Sequence, residues 1–221
     1  MKKNPFPKLS GCLGALLLLT AVSWGQQPVA NSDKTDWNQR LSNIDTSRPI
    51  RLDTLLSVIC SNGKKSLPLV KEVMADEEGQ MERRVVVPPA LTLKTAAAIL
   101  NENGFDCSVV DGVVLVRSQY LVKRGQSCFD IALKGFEDRG NIRELLNKLM
   151  TACDKSGVSV AVGFGTRTKF DQQQHVLSTP ENGTIGDVLL QLSKTGGPGL
   201  SLVVLHPKTA SSKAEVFLSL P

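Results

Sequence analysis

Pro88-Pro89-Ala90-Leu91-Thr92-Leu93-Lys94-Thr95-Ala96-Ala97-Ala98-Ile99-Leu100-Asn101-Glu102-Asn103-Gly104 is, in order, a strand stop, a helix cap, an apolar-periodic helix and a helix terminator. A degenerate second copy reads Pro180-Glu181-Asn182-Gly183-Thr184-Ile185-Gly186-Asp187-Val188-Leu189-Leu190-Gln191-Leu192-Ser193-Lys194-Thr195-Gly196. Pro88, Thr92 and Gly104 recur as Pro180, Thr184 and Gly196, each 92 residues on (180 − 88, 184 − 92, 196 − 104). Repetition on this scale implies duplicated folding units rather than a single enzyme core. It predicts an α+β protein of two tandem small modules, each with two helices packed on a small mixed β-sheet.

Working outward, the first module is expected over 47–120. Leu52, Leu55, Leu56 and Ile59 form a helical stripe between Arg51 and Ser61, ended by Asn62-Gly63. Leu67 to Val73 and Glu82 to Val87 read as two strands joined by a hairpin loop at Ala75-Asp76-Glu77-Glu78-Gly79. Thr92 caps the helix Leu93 to Asn103, whose three alanines permit close approach to a sheet. Cys107 to Val110 and Val113 to Arg117 form a hairpin around Asp111-Gly112, the strongest two-residue turn signal in the chain.

The second module, 127–221, repeats this order. Ile131 to Leu133 is a short strand, and Asn141 with Glu144 forms a capping box for a helix carrying Ile142, Leu145, Leu146, Leu149 and Cys153 and ending near Gly157. Val158 to Phe164 alternates as a strand, and Gln174 to Ser178 is expected to pair back onto it. Thr184 caps the last helix. Leu200 to Leu205 and Glu215 to Leu218 make a final hairpin whose loop, 206–214, is longer and more polar than its counterpart.

The first residues carry a different message. Lys2, Lys3 and Lys8 precede an apolar run from Leu9 to Val22, followed by small residues at Ser23 and Gly25. This is the pattern of a secretory signal peptide over 1–25, cleaved before Gln26 or before Trp24, with an uncleaved anchor as the rival reading. The apolar run follows Cys12 rather than preceding it, which argues against lipidation. Residues 26–46 are polar around Trp37 and read as a flexible tether, with Trp37 and Leu41 spaced to dock as one helical face. Loss of three signal lysines reduces 26 basic residues to 23 against 21 acidic ones, so the net charge falls from +5 to +2. Nucleic-acid binding thereby loses its electrostatic support. The pattern predicts a periplasmic or secreted protein without a membrane span after cleavage.

Four cysteines remain, Cys60, Cys107, Cys128 and Cys153. In an exported chain they allow one or two disulfides, in any of three full connectivities, or four buried thiols. No C-x-x-C and no G-x-S-x-G occurs. Gly63-Lys64-Lys65-Ser66 lacks the first glycine of a phosphate loop, and Gly163-Phe164-Gly165 lacks the third glycine of a dinucleotide site. His175 and His206 are far apart, and no His, Asp or Glu set has metal-ligand spacing. Asp106 and Asp111 belong to a turn, and Thr184 explains Asn182-Gly183-Thr184 as a helix cap rather than a glycan acceptor. The expectation is therefore no catalytic residue, no cofactor and no metal: not an enzyme.

The run from Arg84 through Val87, Pro88-Pro89, the Thr92-capped helix, Gly104 and the Asp111-Gly112 hairpin to Val116 resembles the short N-terminal domain of secretins and TonB-dependent receptors (STN-like). In that family the helix packs an ALxxLL face and the hairpin reads GLxYxxxxGxxVxV; Ala96 to Leu100 and Gly104 to Val116 follow these patterns loosely. The second copy follows them more weakly. Such receptors continue into a β-barrel. Here the sequence ends at Pro221 and shows no TonB-box-like segment.

What the resemblance implies is a periplasmic docking module. Its partners would be envelope proteins: secretin, pilus or inner-membrane secretion components, or receptor and anti-sigma regulators. Strand addition at Arg84, Val85, Val86 and Val87 is the expected mode of an adaptor. The alternative is a binding protein for cell-wall glycan or a small ligand, using the cleft between modules.

Overall fold

The computed structural model describes residues 36–42, 44–61, 66–133, 135–155, 160–164, 173–197, 200–207 and 214–219. The signal-peptide pattern, the start of the tether, the Asn62-Gly63 cap and Gly157 lie outside them. No helix among the described residues is long and apolar enough to cross a membrane.

The protein is mixed α/β. In the first half come β1 (Ile50–Arg51), α1 (Leu52–Cys60), β2 (Leu69–Met74), a 3-10 turn (Glu78–Glu82), β3 (Arg84–Val85), α2 (Leu93–Glu102), β4 (Phe105–Val110) and β5 (Val113–Ser118). A short α3 (Gln119–Lys123) and a 3-10 turn (Cys128–Asp130) lead onward. The second half runs β6 (Glu137–Gly140), α4 (Ile142–Lys155), β7 (Val160–Phe164), β8 (His175–Ser178), α5 (Ile185–Thr195), β9 (Ser201–His206) and β10 (Ala214–Ser219).

The halves do not carry separate sheets. One six-stranded sheet has the order β4-β5-β2-β9-β10-β7, with antiparallel ribbons β1-β3 and β6-β8 beside it. The join is the parallel pair β2–β9, running from Leu69 opposite Ser201 to Met74 opposite His206. Side-chain alternation then assigns the helices to faces. Val73, Val114 and Val116 point to one face, where they meet Leu52, Leu55, Leu56 and Ile59 of α1 and Leu93, Ala96 and Leu100 of α2. Val70, Val113, Leu115, Leu202 and Val204 point to the other, under Ile142, Leu145, Leu146 and Leu149 of α4 and Ile185, Val188, Leu189 and Leu192 of α5. The continuous apolar run Val113-Val114-Leu115-Val116 is the sequence trace of this double coverage. The second half's helix layer thus lies over strands of the first.

Local chemistry repeats with the 92-residue spacing. Thr92 Oγ1 accepts from Thr95 N–H and Thr95 Oγ1 accepts from Thr92 N–H, a reciprocal box that Thr184 and Asp187 reproduce. Asn141 and Glu144 form the third such box. Leu41 N–H donates to the Leu91 carbonyl and Leu133 N–H to the Gly183 carbonyl, both at 2.8 Å. Arg40 bridges Thr92 as Ala132 bridges Thr184. The Asp111-Gly112 turn has positive φ at both residues (51° and 78°), as a two-residue β4–β5 hairpin requires.

Four expectations need correction. The polar tether is pinned from residue 36 on: Leu41 is 5% exposed, and the segment docks by backbone pairing rather than as a helix. Glu82 to Val87 forms a strand only at Arg84–Val85, and β3 pairs with β1 rather than with β2. The Glu78–Glu82 turn carries the chain away from β2, which is itself occupied on both sides by β5 and β9. Likewise β8 pairs with β6, not β7. Ile131 to Leu133 contributes an isolated bridge at Ala132 instead of a strand.

Candidate functional site

Among the described residues, the one buried carboxylate stands at the seam of the sheet. Glu72 lies mid-strand in β2, where alternation turns it to the α4/α5 face beside Val70, and its exposure is 0%. Its oxygens are fully engaged. Oε2 accepts from Ser127 Oγ at 2.6 Å; Oε1 accepts from Cys128 N–H at 2.6 Å and lies 2.8 Å from His206 Nε2. A carboxylate only accepts, so Nε2 carries the hydrogen in that contact. Burial opposes the charge on Glu72, but the bonds from His206, Ser127 and Cys128 outweigh it and hold the carboxyl below its usual range. Three segments meet here: β2 of the first half, the turn that opens the second half, and the end of β9. Glu72 is a clasp between them.

A histidine, a carboxylate and a thiol in contact invite comparison with a nucleophilic triad. The order differs from that of one: Glu72 stands between the other two, accepting from Cys128 N–H and contacting His206 Nε2. Cys128 is 3% exposed, and burial together with the Glu72 charge pushes its thiol well above the ordinary range.

All four predicted cysteines are free thiols. Burial, then the neighbouring Cys107, push Cys60 to about 12, and burial pushes Cys107 to about 12. Burial and then Asp154 push Cys153 to about 11. The native state therefore holds these protons where the unfolded chain releases them above its ordinary value near 9. Stability from this source is complete below that pH and is lost as pH rises towards 11–12. The same burial predicts that native thiols resist alkylation up to about pH 9, above the ordinary thiol range, and react fully once unfolded. Maleimide labelling followed by mass spectrometry checks this; rapid modification of any native cysteine at neutral pH contradicts it.

The expected partner edge divides. Arg84 and Val85 pair with Arg51 and Ile50, Val86 is 81% exposed, and Val87 is buried in the core of the first half. A groove of about 360 Å³ lies between α1 and the seam, lined by Leu56, Cys60, Leu69, Lys71, Leu200 and Ser201 among others. Lys71 is held there by Glu78 at 2.8 Å. A second, of about 470 Å³, is bordered by Glu137, Asp138, Lys148 and Lys155. Val85 and Val87 share a hydrophobic cluster with Cys60 and Cys107, while residues 84–87 line neither groove.

Sequence reading missed Glu72 and His206 as a pair. The available signal was a lone acid inside the apolar strand run Leu67 to Val73, since an acid in a buried strand needs a partner. No protein-family model, curated protein or solved structure matches the chain.

Proposed function

We propose that this is an exported periplasmic adaptor, a tandem STN-like module that serves a secretion, pilus or receptor-signalling system by binding an envelope protein. The observation that carries the reading is the β1–β3 ribbon. Among the described residues β3 has one neighbouring strand, and Arg83, Arg84 and Val86 in and beside it are exposed. An edge of this kind offers main-chain hydrogen bonds for strand addition, with Val86 as an apolar anchor. The repeated order of ribbon strand, helix, sheet strand, ribbon strand, helix and hairpin supports the tandem part of the reading.

A photo-crosslinking residue at position 86 tests it in intact cells. The expected result is a discrete adduct with one envelope protein, abolished by Arg84→Glu and retained in Tyr120→Asp, an exposed site elsewhere. A surface that crosslinks to nothing, or an adduct that survives Arg84→Glu unchanged, overturns the proposal.

The groove beside the seam favours a second reading, a small-ligand or glycan-fragment site, because residues of both halves line it. Equilibrium dialysis with soluble peptidoglycan fragments separates the two: saturable binding lost in Leu56→Trp supports the groove.

A further inference from the structure

Glu72, Cys128 and His206 each bring one potential ligand atom close to the others. A carboxylate oxygen, a thiol sulfur and an imidazole nitrogen lie within 4.8 Å of one another. They come from β2, a 3-10 turn and β9, so the sheet pairing and the turn position all three. We propose that these residues form a divalent metal site of the zinc class, seated in the seam between the two halves.

The donor set selects the ion. One carboxylate is too little for calcium or magnesium, which take oxygen ligands and, for calcium, six to eight of them. Thiolate, imidazole and carboxylate together suit zinc and its borderline-soft neighbours. Charge balances as well: a dication neutralises the Glu72 carboxylate and a Cys128 thiolate with His206 neutral, leaving no net charge in a buried place. Binding releases the thiol proton to solvent, and the imidazole hydrogen moves from Nε2 to Nδ1. Glu72 Oε1 and His206 Nε2, now 2.8 Å apart, open by roughly half an ångström to span an ion at bonds of about 2.0–2.2 Å.

The surroundings fit a built site. Ser127 Oγ and Cys128 N–H already fix the carboxylate orientation, as outer partners of metal ligands do. His206 is 14% exposed on its side chain while Glu72 is 0%, so the imidazole is the solvent-facing ligand and marks the way in. Three protein ligands leave a coordination position for water.

Cobalt(II) is the probe, because thiolate ligation gives a charge-transfer band and tetrahedral geometry gives intense visible absorption. The full exported chain, stripped with chelator, is expected to bind one cobalt with both signatures, and one equivalent of zinc is expected to remove them. Cys128→Ser is expected to abolish the charge-transfer band, and His206→Gln to weaken binding by at least about tenfold. Cys153→Ser, a thiol in the same core outside the cluster, is expected to leave both intact. If Cys128→Ser does not fold, His206→Gln, at the more accessible ligand, still decides. Absence of the thiolate band in the wild type, or its survival in Cys128→Ser with loss in Cys153→Ser, overturns the site.

Discussion

Glu72→Ala is expected to destabilise the protein by about 3–5 kcal/mol, the scale on which removing one partner strands a buried charge network. The substitution leaves Ser127 Oγ, Cys128 N–H and His206 Nε2 facing a void, each having lost its acceptor. An unsatisfied buried donor costs about 1–3 kcal/mol, and collapse is resisted because β2 is held by a strand on either side. At about 2–4 °C per kcal/mol for a domain of this size, the melting temperature falls by roughly 10 °C. Glu72→Gln keeps one carbonyl acceptor and is expected to cost less. Scanning calorimetry with chelator present measures both without contribution from a bound ion. A loss below about 1 kcal/mol for Glu72→Ala, within the range of an ordinary hydrogen bond, removes the clasp from consideration.

Val203→Pro is expected to unfold both halves together. Val203 faces Lys71 of the first half on one side and Phe217 on the other, so its N–H belongs to a ladder whichever way it points. Proline deletes that bond and its ring crowds the neighbouring strand, for which about 3 kcal/mol or more is the scale in a regular element. The informative readout is Trp37, which packs against the core of the first half although the substitution lies in the second. Trp37 fluorescence and far-ultraviolet dichroism are expected to shift to the same lower denaturant midpoint. A Trp37 midpoint that stays in place while the dichroism moves would show that the halves unfold independently.

Helices and their limits were largely legible in the residues. Thr92, Thr184 and Asn141 are caps whose partners sit three residues on, so sequence proximity suffices to see them. The Asp111-Gly112 hairpin is equally local. Strand partners were not legible, because the alternation of a strand records which face is buried and not which neighbour it joins. Leu69–Met74 looks the same whether it pairs with β3, as adjacency suggests, or with β5 and β9, as it does. The site failed for the same reason. Glu72 and His206 are 134 residues apart and meet only because β2 and β9 are aligned in register. The cysteines were visible as residues, but their free and buried state depends on packing from both halves.

The seam between β2 and β9 also has a polarity. By position in the repeat, β2 corresponds to β7 and β9 to β4, so the central join mates two unlike edges. Contacts between unlike surfaces do not close on themselves as a two-fold pair does. The sheet accordingly terminates in β4 and β7, the counterparts of the two edges that meet at its middle, and neither has a second neighbour among the described residues. On β4 the Asn101 side chain occupies the Cys107 N–H at 3.0 Å, standing where a further strand would dock. The sheet thus has a head and a tail, and the Asn101 side chain acts as a stopper at one end of an order that is otherwise open to addition.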